Sequence, residues 1–169
     1  MKKMKRQILT FILVLATSAI FAEAPLSKGQ TQINFGVGFS SGSIPVYLGF
    51  DYAVHKDVTL GAEISWRGYD EYYDKHDYHH SVFGVSGNAN YHFNTVLHIP
   101  TNWDFYAGIN VGFYSWNSPD DYHGNHSSGL GLGAQIGGRY YFNDRVGINL
   151  EFGGGNEFSQ GKIGLTIKI

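Results

Sequence analysis

The feature that most constrains the fold is a strict period-two alternation near the end of the chain. From Leu130 to Phe142, every second residue is apolar or glycine, and the positions between them hold glycine, glutamine, arginine or tyrosine. Three turn-type residues follow, and the alternation resumes over Val146–Phe152 and again over Lys162–Ile169. A period of two places successive side chains on opposite faces of a β-strand. The segment therefore predicts three strands, each with one apolar, uncharged face.

The same alternation recurs upstream in five further segments. These are Thr31–Phe39, Pro45–Val54, Val58–Gly68, Ser81–Phe93 and Trp103–Trp116. Segments of about ten alternating residues match the length that a tilted strand needs to cross a membrane. The sequence therefore predicts an all-β fold, an eight-stranded antiparallel up-and-down transmembrane β-barrel.

Alternation alone does not say which face points outward, since a soluble barrel of the lipocalin type encloses its apolar side chains. Charged residues make up only 15% of the chain, against about a quarter in soluble domains. Aromatic residues also gather near the strand ends of the apolar faces, as interfacial girdles do. One rim would hold Tyr52, Phe93, Trp103, Tyr140 and Phe142, and the other Phe39, Trp66, Phe113 and Phe152. We therefore expect lipid outside and polar groups inside.

The connections alternate in length. Short turns follow the second and sixth strands, whereas long polar connections, Tyr69–His80 and Asn117–Ser128, follow the third and fifth. In outer-membrane barrels the short turns face the periplasm, so both termini are expected there. The connection Asn94–Asn102 is long but falls on the periplasmic side. Its apolar residues predict a flap, lying either on the membrane surface or in the barrel mouth.

The N-terminus has the three parts of a secretory signal peptide. Four cations precede an apolar core over Ile8–Leu15, and small residues end at Ala22, where cleavage is expected, with Ala24 as the alternative. Residues 1–22 are therefore a cleaved signal peptide, 23–30 a polar lead-in and 31–169 the barrel. Cleavage leaves eight Lys and Arg against 14 Asp and Glu, a formal net charge of −6. No basic patch favours nucleic acid, and the absence of cysteine excludes a disulfide scaffold.

The mature chain resembles small outer-membrane β-barrel proteins of Gram-negative bacteria, of the OmpA/OmpX type in size. The run GGRYYFNDRVGINLEFGGGN, leading to a terminal strand, is similar to barrels common in Bacteroidota. Lys162, Gly164, Ile167 and Ile169 resemble the C-terminal signal read by the barrel-assembly machinery, although Ile169 stands where the family usually has an aromatic residue. The resemblance implies the outer membrane as location, with outer-membrane lipid and the assembly machinery as partners.

Five charged residues fall on the enclosed face and form a predicted lumen cluster. We expect Arg139 and Lys162 to lie near Glu151, and Arg67 near Glu63, because buried charges need partners. An eight-stranded lumen is only wide enough to be filled by side chains. A satisfied polar core is therefore favoured over a gated pore or proton path.

The long connections carry a candidate metal site. Imidazole with carboxylate suits zinc, copper or nickel, but the spacing matches no specific ligand signature, and a hydrated loop rich in polar residues is favoured. We therefore predict no metal site and no cofactor. Tyrosines along the same loops also suit contact with a surface partner, whose identity the sequence leaves unknown. The candidate ligands are His76, His79, His80, His123 and His126.

An enzyme would need a nucleophile, a base and an orienting group. His126 and Ser128 resemble the His-x-Ser pair of outer-membrane lipid A deacylases, but the following strand carries no carboxylate. No catalytic residue is therefore predicted. The sequence favours a non-enzymatic surface barrel for structure or adhesion. A lipid-modifying enzyme or loop-borne metal binding is the alternative, and a narrow pore comes third.

Overall fold

The computed structural model describes residues 24–40, 43–73, 76–119, 128–156 and 159–169. The predicted signal peptide, residues 1–22, lies outside this range. The described chain forms eight strands and one short helix. Their bounds are β1 Thr31–Ser40, β2 Val46–His55, β3 Val58–Tyr73, β4 His76–His92, α1 Asn94–Leu97, β5 Trp103–Asn117, β6 Gly129–Tyr141, β7 Val146–Gly155 and β8 Ser159–Lys168.

Each strand pairs antiparallel with the next, and β8 pairs with β1 to close the barrel. The closing register places Phe35 opposite Leu165 and Gly36 opposite Gly164. Within the barrel wall, closure gives each described strand a partner on both sides, which is the condition for a sheet to exist within lipid. The predicted eight-stranded antiparallel up-and-down barrel is confirmed. Within the described ranges, no helix is both long and apolar enough to cross a membrane.

Burial alternates along the strands with a period of two, and the barrel is polar inside and apolar outside. In β2, Leu48 and Phe50 are 48% and 45% exposed, whereas their neighbours Tyr47 and Asp51 are buried. The outward face of every strand carries exposed apolar side chains, which together form the apolar belt. Its members include Phe35, Val37, Leu60, Ile64, Phe83, Val85, Phe105, Ile109, Val111, Leu132, Ile136, Ile148, Leu150, Ile163 and Leu165. The lipocalin arrangement, with its apolar face enclosed, is therefore excluded.

Tyr69–His80 was predicted to be a loop, and this was wrong, because most of its backbone belongs to strands β3 and β4. β3 continues to Tyr73 and β4 begins at His76, and their residues pair in register up to Tyr73 opposite His76. Tyrosine favours strands, and the register places residues such as Asp70 and His79 directly opposite one another. Since β4 pairs with β5 only from Ser81 onward, this hairpin projects beyond the barrel wall.

The barrel has two distinct ends. The terminal end carries the beginning of β1, the end of β8 and the even-to-odd connections, including α1. The loop end carries the projecting hairpin and the connection from β5 to β6. The predicted flap Asn94–Asn102 begins with α1, and His98, the residue that follows the helix, has a left-handed conformation (φ 54°).

Candidate functional site

The candidate site is the barrel interior, where charged and polar side chains from all eight strands meet. Because β-strands present alternate residues to each face, the polar half of every segment is enclosed together. Buried charges are stable only when paired and hydrogen-bonded. What the interior can do therefore depends on which of these groups form ion pairs and hydrogen bonds with one another.

Arg139 of β6 is the centre of the layer nearest the terminal end. It is 3% exposed, and its Nη1 and Nη2 donate to Asp104 Oδ2 at 2.8 Å and Asp51 Oδ2 at 2.9 Å. The ring of Tyr106 lies 4.2 Å from its Cζ. Asp51 Oδ2 also accepts from Gln32 Nε2 at 2.9 Å. One guanidinium thus joins β2, β5 and β6, a geometry that its planar fork of donors permits.

Lys162 of β8 is the centre of a second layer, closer to the loop end. Its Nζ donates to both oxygens of Glu63, at 2.7 and 2.9 Å, and lies 3.0 Å from Glu151 Oε1. Tyr106 connects the two layers, because its hydroxyl donates to Glu151 Oε2 at 2.8 Å while its ring lies against Arg139. The two layers form one continuous network across the lumen.

Glycines on facing strands make room for the tyrosine rings that cross the lumen. A Cβ on Gly137 would lie 2.3 Å from Cζ of Tyr106, and one on Gly164 would lie 2.5 Å from the hydroxyl of Tyr47. No side chain fits at such distances without displacing the ring. The Tyr47 hydroxyl in turn accepts from Asn149 Nδ2 at 2.8 Å. In the interior, tyrosine rings therefore pack directly against the backbone of glycine residues.

A hydroxyl, an imidazole and a carboxylate line up at the terminal end of the lumen. His92 Nδ1 lies 2.7 Å from Asp104 Oδ1, and Nε2 lies 3.0 Å from Thr59 Oγ1. A carboxylate only accepts, so Nδ1 carries the proton donated to Asp104. The arrangement has the order of a nucleophile, a base and an orienting group. Thr59 and His92 are each 2% exposed, however, so no substrate reaches the hydroxyl.

The structure changes two of the expected pairings in the predicted lumen cluster. Arg139 does not pair with Glu151, because on β7 it lies opposite Asn149, and its partners are instead the aspartates of β2 and β5. Arg67 was expected beside Glu63. Its Nη1 instead donates to Ser40 Oγ at 3.4 Å, and Glu63 is bound by a lysine. Lys162 does lie beside Glu151, its direct cross-strand partner.

Several interior residues were not identified from the sequence. Asp51 and Asp104 were not included in the predicted lumen cluster, although Asp104 lies directly opposite Arg139 on the adjacent strand. That cross-strand position was the available signal. Tyr47 and Tyr106 gave no signal, since their partners Asn149 and Glu151 lie on strands far apart in sequence. His92 was missed although its partner Asp104 lies on the next strand.

The structure describes only part of the predicted loop sites. His80 is fully buried, with Nδ1 2.9 Å from Ser118 Oγ and its ring 6.3 Å from that of Trp116. His76 and His79 lie at register positions opposite Tyr73 and Asp70. Ser128 Oγ accepts from the backbone N–H of Trp116 at 3.0 Å. The remaining predicted ligands, His123 and His126, lie outside the described residues.

Two small cavities lie in the lumen among the residues that the structure describes. One of about 40 Å³ lies toward the loop end, between Glu63, Asn110 and Gln135. The other, of about 20 Å³, lies between Asn34, Asn149 and the Arg139 layer. A water needs roughly 10–15 Å³ of such volume, so these cavities hold a few waters at most. Within the described ranges, no cluster of three or more His, Cys, Asp or Glu is arranged to hold a metal ion.

No protein-family model matches the sequence, and no curated protein matches it. Among solved structures, the chain is similar to the outer membrane protein OprG from Pseudomonas aeruginosa, with a TM-score of 0.67 and 10% identity, covering 86% of this chain and 99% of OprG. It is also similar to the N-terminal β-barrel domain of Pseudomonas aeruginosa OprF (TM-score 0.62, 16% identity, 84% and 98% covered). A third similar structure is the Yersinia pestis outer membrane protein Ail in a phospholipid bilayer nanodisc, with a TM-score of 0.55 and 11% identity, covering 84% of this chain and 100% of Ail.

These similarities are of fold. They confirm the resemblance to small eight-stranded outer-membrane barrels, whereas the resemblance to barrels of Bacteroidota stays a prediction. The chain spans nearly the whole length of each neighbour, so the similarity extends over the whole barrel.

Proposed function

We propose that the protein is a non-enzymatic integral barrel of the bacterial outer membrane. Its lumen is closed by side chains, and its longer connections are displayed at the cell surface. The observation that carries this proposal is the inverted distribution of polarity, with an apolar belt outside the closed barrel and paired charges inside it. Such a molecule is stable only in lipid, because a large exposed apolar surface drives association in water.

The proposal includes an orientation and a route of assembly. Short even-to-odd turns at the terminal end support a periplasmic location for both termini, and residues 1–22 act as the export signal. In β8, Ile163, Leu165 and Ile167 face outward while Lys162 faces inward. This alternation supports recognition of the terminal strand by the barrel-assembly machinery.

A closed lumen is supported by the two charge-paired layers and by the small size of the cavities between them. In a planar bilayer, the wild-type protein should show no stepwise conductance above that of the bare membrane. A matched variant, Tyr47→Ser with Tyr106→Ser, keeps every charge but removes both rings from the lumen, and it should leak ions. Steady conductance steps from the wild-type protein would contradict the closed lumen.

A non-enzymatic role is supported by the burial of the Thr59–His92–Asp104 alignment. The Thr59 hydroxyl, which has the imidazole of His92 within reach, is sealed in the lumen, so it meets neither lipid nor soluble substrate. Incubation of the reconstituted protein with lipid A and phospholipid, followed by mass spectrometry, should show unchanged lipids. A product whose formation depends on His92 would overturn this part of the proposal.

Display at the surface is supported by the hairpin formed by the ends of β3 and β4, which projects beyond β5. One structural neighbour, Ail, is described as the attachment invasion locus protein in complex with the heparin analogue sucrose octasulfate (TM-score 0.50, 11% identity, 83% and 97% covered). The hairpin of this chain has four carboxylic acids and one lysine over Tyr69–His80. That charge disfavours a sulfated partner and favours a basic one.

A replacement tests the role of the hairpin. Exchanging residues 70–79 for a Gly/Ser segment of equal length retains His80 and its contact with Ser118. Cells displaying the wild-type barrel should bind immobilised basic protein, and the replacement should lose that binding, while neither binds heparin. Exchanging residues 156–158 in the same way is the control and should leave binding unchanged. Equal binding by the hairpin replacement and the wild type would exclude the hairpin as the contact surface.

A further inference from the structure

The connection between β4 and β5 differs from the other described turns at the terminal end. The turn after β2 contains Lys56 and Asp57, and the turn after β6 contains Asp144 and Arg145. The connection 94–102, in contrast, contains no Asp, Glu, Lys or Arg. It is also the longest of the three, and it includes Val96, Leu97, Ile99 and Pro100. Its one ionisable side chain is that of His98, so it carries no fixed charge that would oppose contact with an apolar phase.

Hydrogen bonds hold one side of this connection against the barrel. Asn94 is fully buried, and its Nδ2 donates to the carbonyl of Trp103 at 2.6 Å. The Thr95 hydroxyl donates to the carboxylate of Asp57. The Leu97 N–H donates to the carbonyl of Phe93 at 2.9 Å, which closes the single turn of α1. The backbone is therefore fixed, and so is the direction in which its apolar side chains point.

The other side of α1 presents apolar side chains that the described part of the protein leaves mostly exposed. Val96 is 60% and Leu97 63% exposed. At the same end of the barrel, Leu26 of the lead-in is only 4% exposed, so this rim buries an apolar residue when the protein offers a partner. The exposure of Val96 and Leu97 excludes the barrel mouth as the place of the flap.

These residues adjoin a band of aromatic side chains around the terminal end. Tyr91 and Phe93 have ring centroids 5.3 Å apart. Trp103 lies 5.8 Å from Phe105 and 4.7 Å from Tyr140. The backbone N–H of Trp103 donates to the carbonyl of Pro100 at 2.9 Å, which ties the connection to this band. Aromatic residues in such bands lie at the boundary between headgroups and acyl chains.

We propose that Val96 and Leu97 form a membrane anchor that inserts into the phospholipid leaflet at the terminal end of the barrel. The anchor extends the apolar belt past the strand ends, and its occupant is the region of glycerol and upper acyl chains. Apolar side chains that lie on a membrane surface enter this region to a depth of about 5–10 Å. By holding one side of the rim in lipid, the anchor sets the depth of the barrel on the side of β4 and β5.

The chain contains no cysteine, so single cysteines report one position each. Leu97→Cys, labelled with an environment-sensitive fluorophore and reconstituted in phosphatidylcholine vesicles, should give blue-shifted emission. Lipids carrying a nitroxide near the headgroup should quench it, and aqueous iodide should not. Val96→Cys should behave in the same way. Thr101→Cys, an exposed polar position in the same connection, is the matched control and should show water-like emission that iodide quenches.

A reference position separates failure of the anchor from failure of the transmembrane arrangement. Phe105→Cys lies in the apolar belt and should be quenched by lipid nitroxides whether or not the anchor exists. Lipid quenching at Phe105 with iodide quenching at Leu97 would overturn the anchor alone. Blue-shifted emission at Leu97 that no lipid nitroxide quenches would also overturn it, since the side chain would then pack on protein. Iodide quenching at Phe105 would contradict the membrane-spanning fold itself.

Discussion

At the scale of single residues, Arg139 has the most demanding surroundings in the molecule. It lies between Asp51 and Asp104 with almost no solvent contact. A buried ion pair adds little stability in itself, but removal of one partner leaves an uncompensated charge. Burial of Asp51 and Asp104 therefore requires Arg139 as their cation, and burial of Arg139 likewise requires the two aspartates.

Replacement of this arginine tests that dependence. Arg139→Ala should lower the free energy of unfolding by about 3–5 kcal/mol, because two buried carboxylates lose their cation. Urea unfolding in lipid vesicles, followed by tryptophan fluorescence, measures the change. Arg145→Ala removes a cation from an exposed turn at the same end and should change stability by no more than about 0.5 kcal/mol. A similar effect of both substitutions would contradict the network.

The glycines facing the lumen tyrosines provide a second test of the interior packing. Gly137→Ala should destabilise by about 1–3 kcal/mol, the usual effect of overpacking, since its Cβ would lie 2.3 Å from Tyr106 Cζ. Gly49→Ala on the buried face of β2 is the matched control, because its Cβ would make only ordinary contacts of 3.6 Å with the carbonyl of Ala62 and with Glu63 Oε2. The measurement is the midpoint of unfolding of each variant in lipid vesicles. Equal midpoints would mean that the Tyr106 ring does not occupy this place.

At the scale of the strand, alternation was enough to predict all eight elements. Each strand satisfies the same local rule, so its existence could be inferred without knowledge of its neighbours. The hairpin extension was missed because Tyr, Asp and His at Tyr69–His80 are polar enough to suggest a loop. Cross-strand pairing, rather than an apolar face, stabilises that extension.

Pairing between strands was only partly predictable. Glu151 and Lys162 were paired correctly because they lie opposite one another in the final hairpin. The partner of Arg139 was predicted wrongly, since the choice between Asp104 and Glu151 depends on the registers on both sides of β6. The contact of Arg139 with Asp51 joins β6 to β2. It follows only from barrel closure, which no local pattern specifies.

The outward face of a strand should tolerate charge according to its depth in the membrane. Ile109 in β5 and Ile44 before β2 are equally exposed, at 68% and 71%. Ile109→Arg should destabilise by about 2–4 kcal/mol, as a cation near the bilayer midplane does, and Ile44→Arg by only about 0–1 kcal/mol. Unfolding in vesicles provides the comparison. Equal effects at the two positions would show that Ile109 does not face lipid.

At the scale of the whole molecule, the barrel has a distribution of polarity that is the reverse of that in a soluble protein. Its apolar surface lies on the outside, and hydrogen bonds and ion pairs rather than apolar burial organise its interior. The lumen network ties together strands that are not neighbours, such as β2 with β6 and β3 with β8. Barrel closure and lumen pairing therefore support each other, and in the closed lumen that we propose, the same side chains fill the path through the barrel.

The central claim is that the alternate apolar side chains lie against acyl chains while the polar ones are enclosed. Nuclear Overhauser effects between lipid acyl protons and protein methyl groups in nanodiscs measure this directly, without substitution. Leu48, Val85 and Leu150 should show strong effects. Ala53 and Val82, apolar but buried inside the barrel at 0% and 2% exposure, should show none. Acyl contacts at Ala53 and Val82, with none at the three outward residues, would contradict the account.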